Sequence, residues 1–148
     1  MQQNDRRLAT KAGDPVRYLV VDDSVFARKF LAKMLEMTGG VIAGEAENGV
    51  AAIEEYDKLR PDIVLMDVTM PEMEGMEAAE TILRGHPQAK IVMVSSVGDH
   101  HNIAHALRIG VLHFVQKPAK ADPLYAIIRS VLDQETTSSG ASEESRLP

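Results

Sequence analysis

Four short segments place reactive side chains directly behind apolar stretches. Asp22 and Asp23 follow YLVV (18–21), Asp67 follows IVLM (63–66), Ser95 and Ser96 close IVMV (91–94), and Lys117–Pro118 comes just after Phe114–Val115. Each has an ordinary reading on its own. Asp23 or Ser24 suits a helix N-cap, a lone Asp or Ser after a strand suits a turn, and a Lys-Pro pair suits a solvated loop. If the segments converge, the ordinary reading fails. Three carboxylates side by side repel one another, which costs stability unless a cation neutralises them. The donors are oxygens only, with no His or Cys among them, which disfavours zinc or copper. Mg²⁺ fits, because it takes a few carboxylate oxygens and keeps waters that phosphate oxygens can replace. In such a site Asp22, Asp23 and Asp67 supply the metal ligands. A carboxylate can also be a nucleophile that forms an aspartyl phosphate. Lys117 then brings a cation and Ser95 a hydroxyl donor to the oxygens of the transferred group.

Convergence requires a particular architecture, and the rest of the sequence is patterned for it. Apolar runs at Tyr18–Val21, Val41–Ala46, Ile63–Met66, Ile91–Val94 and Phe114–Val115 alternate with five helical patterns of period 3.6. The helical stripes are Ala27, Phe30, Leu31, Met34 and Leu35, with Arg28, Lys29 and Lys33 opposite; Ala52, Ile53, Tyr56 and Leu59; Met76, Ala79, Ile82 and Leu83; Ile103, Ala104 and Leu107; and Leu124, Ile127, Ile128, Val131 and Leu132. Breakers at Gly39–Gly40, Pro61, Gly85, Pro87 and Gly110 separate them. The near-continuous first, third and fourth runs suit strands buried on both faces. Alternating strands and helices imply an α/β fold, a parallel sheet with right-handed crossovers and its ligand site at the carboxyl ends of the strands.

The bulk numbers agree with a soluble α/β domain. The 148 residues suffice for one core, 45% are hydrophobic and 26% charged, and the net charge is −6. An acidic chain argues against nucleic acid as the main partner. The absence of cysteine removes disulfides and thiolate chemistry. No apolar run is long enough to span a bilayer, and the first residues have no signal-peptide core. Residues 1–14 and 135–148 are polar and without periodicity, so both are expected to be disordered around a domain at 15–134. The stretch after Asp133 is too short and polar for a DNA-binding or catalytic module.

The segments VVDDS (20–24), MDVTMPEMEG (66–75), VSS (94–96) and FVQKP (114–118), in that order and spacing, resemble the signature blocks of two-component response-regulator receiver domains. The resemblance runs from about Arg17 to Asp133. It implies a flavodoxin-like doubly wound sheet, (βα)5, with strand order 2-1-3-4-5. It makes Asp67 the phosphoacceptor in a Mg²⁺-dependent reaction, with Asp23 and Asp67 as direct ligands, Asp22 a ligand largely through water, and the Thr69 backbone carbonyl completing the protein set. Ser95 would hold a phosphoryl oxygen, Lys117 would pair with the phosphate, Phe114 would be the switch aromatic, and Pro118 would follow a cis bond. Phe114 stands where Tyr is frequent, Ser96 where Ala is common and Ala119 where Phe is frequent. The text GEAENGVAAIEEY (44–56) and VSSVG (94–98) further resembles stand-alone chemotaxis regulators of the CheY type.

The implied function is a cytoplasmic, monomeric switch and not a turnover enzyme. Its phosphodonor would be a chemotaxis-type histidine kinase, its target a protein such as a flagellar motor switch component, and a phosphatase a further partner. A phosphorelay intermediate or phosphate sink is an alternative within the same chemistry. A degenerate, never-phosphorylated interaction module is an alternative of another class, as is an aspartate-nucleophile phosphatase. The contiguity of Asp22 and Asp23, where an Asp-x-Asp is needed, speaks against the phosphatase.

Overall fold

A computed structural model describes residues 7–68, 70, 74–96 and 100–134, without the side chains of residues 100–102. Five strands alternate with five helices: β1 (Arg17–Val21), α1 (Val25–Glu36), β2 (Val41–Ala46), α2 (Gly49–Leu59), β3 (Ile63–Asp67), α3 (Gly75–Gly85), β4 (Ile91–Ser95), α4 (His100–Ile109), β5 (His113–Gln116) and α5 (Ala121–Asp133). All strands pair in parallel in the order β2-β1-β3-β4-β5. The doubly wound sheet and its strand order are as the resemblance implied.

The order explains which strands are legible. β1, β3 and β4 lie inside the sheet, and from Tyr18, Ile63 and Ile91 onward their residues are buried. β2 is an edge, with an exposed Val41 and four half-buried residues, which is why VIAGEA reads as a mixture. Side chains alternate between the faces. Leu19, Val21, Val64, Met66, Ile91 and Met93 pack with α2, α3 and α4. Tyr18, Val20, Ile63, Leu65, Val92, Val94 and Val115 pack with α1 and α5 on the other face.

Two helix faces differ from the stripes expected. α1 buries Leu31, Ala32 and Leu35, whereas Phe26 is 80% exposed and Phe30 47%. The apolar arc on this helix is wider than the sheet can cover, so its first turns leave aromatic surface outside. Among the described side chains of α4 the buried one is Ala106, with Ala104 and Leu107 facing solvent. Periodicity alone could not fix that rotation in so weak a stripe.

The expected disorder of residues 1–14 gives way at Leu8. Its side chain is buried with Leu35, Ile128 and Val131, its N–H donates to the Thr38 carbonyl at 2.9 Å, and Ala9 bridges Pro15. A single Leu has no period to read, yet one side chain can close the seam between α1 and α5. Residues 1–6 and 135–148 lie outside the described residues, so the expectation for them stands untested.

Leu8→Ala should therefore lower the unfolding free energy by about 2 kcal/mol, the low end for a buried Leu. Urea denaturation checks this; an unchanged midpoint would mean the N-terminal segment contributes no packing.

Candidate functional site

The parallel sheet brings the ends of β1, β3 and β5 to one edge. Asp22 follows β1, Asp67 is the last residue of β3, and Lys117 follows β5. All three share the alternation of Val20, Leu65 and Val115, the face covered by α1 and α5. One carboxylate oxygen each from Asp22, Asp23 and Asp67 lies within 4.8 Å of the others. Asp22 and Asp67 are buried at 5% and 7% exposure, while Asp23 is open to solvent. Lys117 Nζ sits 3.0 Å from Asp22 Oδ2 and 3.4 Å from Asp67 Oδ2.

The local backbone fixes this arrangement. Ser24 takes the N-cap of α1, its hydroxyl accepting from the Ala27 N–H at 3.1 Å. This leaves Asp23 out of the cap and available to the cluster. Asp22 is held by its N–H to the Ala46 carbonyl at 3.0 Å and by the Ser24 N–H donating to Asp22 Oδ1 at 2.9 Å. α3 begins against the end of β3, with the Gly75 N–H on the Val68 carbonyl at 2.8 Å. A Cβ at position 75 would collide with the Asp67 carbonyl, so the glycine permits the close approach. The Lys117 N–H donates to the Ser95 carbonyl at 2.8 Å, and the Lys117–Pro118 bond is cis, as the resemblance implied.

Ser95 ends β4 and is buried at 5% exposure; Ser96 is exposed. Phe114 is half-buried and packs against the cluster under α2, α3 and α4. Because Met93 pairs with Phe114 and Ser95 with Gln116, Ser95 and Phe114 are diagonal neighbours on that face. The expected Thr69 carbonyl ligand lies outside the described residues.

One ammonium against three carboxylates leaves the cluster negative. Burial pulls the Lys117 pKa down, but its hydrogen bond to Asp22 and the charges of Asp67 and Asp22 outweigh this and raise it above the ordinary 10.5. Lys117 is therefore charged across the neutral range. The donor set is all oxygen and still negative after pairing, which fits a hard divalent cation and Mg²⁺ in particular. Asp22, Asp23 and Asp67 are the residues that would hold it.

Sequence reasoning missed two features. Arg28, assigned to the solvent face of α1, turns inward: its Nη1 donates to the Asp22 carbonyl at 2.7 Å and its Nε to Glu45 Oε1 at 2.8 Å. The signal was a Glu inside the apolar strand VIAGEA. The second is an apolar cavity of about 440 Å³ beside the site, lined by Phe26, Phe30, Val94, Lys117, Pro118 and Ala119. A larger and more polar cavity, about 610 Å³, lies by Pro61, Asp62 and Lys90 at the amino ends of the strands, away from the cluster.

The profile of the response regulator receiver domain matches residues 18–129. The chain is 38% identical to the chemotaxis protein CheY of Listeria monocytogenes over 107 residues, covering 72% of this chain and 90% of that one. It is 43% identical to CheY of Thermotoga maritima over 102 residues, 69% of this chain and 85% of that one. Its fold superposes on a chain of the CheX-CheY-BeF3-Mg complex of Borrelia burgdorferi with a TM-score of 0.80 at 29% identity, covering 87% of this chain and 97% of that chain.

Two outcomes follow from the charge imbalance. In metal-free buffer Asp23→Asn should raise thermal stability, by on the order of 1 kcal/mol, and the gain should vanish in Mg²⁺; a loss of stability in both buffers would contradict the repulsion. Lys117→Met should destabilise the chain. Because the folded pKa of Lys117 is raised, its contribution is fully present below 10.5 and lost as pH rises through the folded value. Denaturation series should show a constant deficit in the variant from roughly pH 6 to 9 that shrinks only in stronger alkali.

Proposed function

The chain belongs to the response regulator receiver domain family, and from that premise we propose that it is a signalling switch that accepts a phosphoryl group on Asp67. The observation that carries this reading is the buried Asp67 carboxylate with the Lys117 ammonium 3.4 Å away, inside a cluster of three aspartates. An Asp67 carboxylate oxygen attacks the phosphorus of a phosphohistidine. A P–O bond forms, the P–N bond breaks with its electron pair returning to the imidazole, and an acyl phosphate remains on Asp67. A bound cation supplies charge neutralisation for the phosphoryl oxygens. Asp23, Asp67 and the Thr69 carbonyl would hold it directly, and Asp22 largely through water. Lys117 transfers its ion pair to the phosphate, and the Ser95 hydroxyl donates to another phosphoryl oxygen.

The readout is a shift between two states. Ser95 moves toward the new oxygens, and Phe114, its diagonal neighbour, turns into the space behind it. That alters the surface of α4, β5 and α5. The exposed Phe26 and Phe30, bordering a cavity that reaches Lys117, support a protein rather than a small molecule as the phosphodonor. Similarity to the CheY proteins supports a chemotaxis histidine kinase in that role and a flagellar motor switch protein as target. The Borrelia complex, with Mg, BeF3 and a second protein, supports the cation and a further protein partner. Among the described residues no helix is long and apolar enough to cross a membrane.

Intact mass spectrometry after acetyl phosphate and Mg²⁺ tests this. One phosphoryl adduct is expected, absent without Mg²⁺ and absent in Asp67→Asn. No adduct on the wild type would make the chain a degenerate interaction module, and an adduct surviving in Asp67→Asn would move the acceptor elsewhere.

A further inference from the structure

We infer that Arg28 is a positioning residue for the cation site, acting through the peptide between Asp22 and Asp23. The inference rests on the Mg²⁺ site proposed above and assigns it a support on α1.

The Asp22–Asp23 turn is pinned at several points. The Asp22 N–H is tied to Ala46, Oδ1 accepts from Ser24 and Oδ2 pairs with Lys117. These bonds fix Asp22 itself. Of these only the Ser24 bond spans the peptide that follows Asp22, and none of them holds that peptide's carbonyl, whose direction sets how Asp23 leaves the turn. The carbonyl of this peptide accepts from Arg28 Nη1 at 2.7 Å. The same guanidinium is held from the other side by Glu45 at 2.8 Å, on the strand that pairs with β1, and its side chain is only 13% exposed. A planar fork with two fixed partners orients a carbonyl in a way a single ammonium cannot. Asp23 is the exposed member of the aspartate cluster, so its placement has the most order to lose if the carbonyl exchanges its guanidinium for water.

The alternative is that Arg28 only braces α1 against the sheet. The two roles differ in sign at the metal. Removing a positive charge near a cation site strengthens cation binding by Coulomb's law. Removing a positioning group weakens it, typically 10–100-fold for the outer partners of metal ligands. A brace affects stability and adds no weakening at the metal.

The experiment is calorimetric titration of Mg²⁺ into the full chain without phosphodonor, with thermal midpoints recorded in parallel. Wild type, Arg28→Ala, Arg28→Lys and Glu45→Gln are compared. Arg28→Ala is expected to weaken Mg²⁺ binding about tenfold or more. Arg28→Lys, which keeps the charge but not the fork, should also bind more weakly than wild type, and it serves if Arg28→Ala does not fold. Glu45→Gln should weaken binding less, because the bond to the Asp22 carbonyl survives. Unchanged or tighter binding in both Arg28 variants overturns the inference, whatever happens to the midpoints. Failure of the wild type to bind Mg²⁺ overturns the site, and this inference with it, and is recognised before any variant is measured.

Discussion

The Lys117 ammonium between Asp22 and Asp67 is the contact around which the rest of the molecule is arranged. Two largely buried carboxylates and a third at the rim would repel one another at the end of a sheet that has little freedom to relax. A single cation makes the arrangement tolerable without neutralising it. The residual negative charge is what gives a second, divalent cation a reason to bind. The position of Lys117 in turn depends on the sheet. Its backbone N–H is tied to the Ser95 carbonyl, and β5 reaches the site only because it pairs with β4. A site of this kind cannot be assembled locally. Asp22, Asp67 and Lys117 come from strands far apart in sequence, and only parallel pairing with helical crossovers sets their ends side by side.

That dependence explains what was legible in the sequence. The inner strands are written as runs of aliphatic residues because both their faces are covered. The aspartates, Ser95 and Lys117 stand out because they interrupt those runs at one consistent end. β2 and α4 were blurred for opposite reasons. β2 is an edge strand whose side chains are only half covered, and α4 has too few large apolar residues to reveal its inward face. Leu8 escaped because an isolated apolar residue carries no period. Arg28 escaped because helical periodicity assigns a charged residue to solvent by default. The facing Glu45 and the Asp22 carbonyl turn it inward, and those pairings are tertiary facts.

The exposed aromatic surface of α1 belongs to the same logic. Phe26 and Phe30 are left uncovered within a short distance of Lys117, next to Lys29 and Lys33 on the same helix. An aromatic patch of this kind costs solubility and adds nothing to the core. It lies beside the acidic cluster, where the phosphodonor of the proposed function would dock. The helix that presents it also carries Arg28, whose guanidinium bonds the Asp22 carbonyl.

The two faces of the sheet divide the labour. Asp22, Asp67 and Lys117 alternate toward α1 and α5, whereas Ser95 and Phe114 alternate toward α2, α3 and α4. A side chain on the second face cannot share the packing of the first. Its information about the first has to pass through the end of β4, where Ser95 stands one residue beyond Val94, the partner of Asp67. In the proposed function, oxygens added to Asp67 would extend past the strand end, toward Ser95 on the neighbouring strand. Ser95 is the residue of the second face closest to that end, and Phe114 lies diagonally behind it. In the switch proposed above, one hydroxyl and one ring would carry a change among the carboxylates across the sheet, without any rearrangement of the strands that hold the site together.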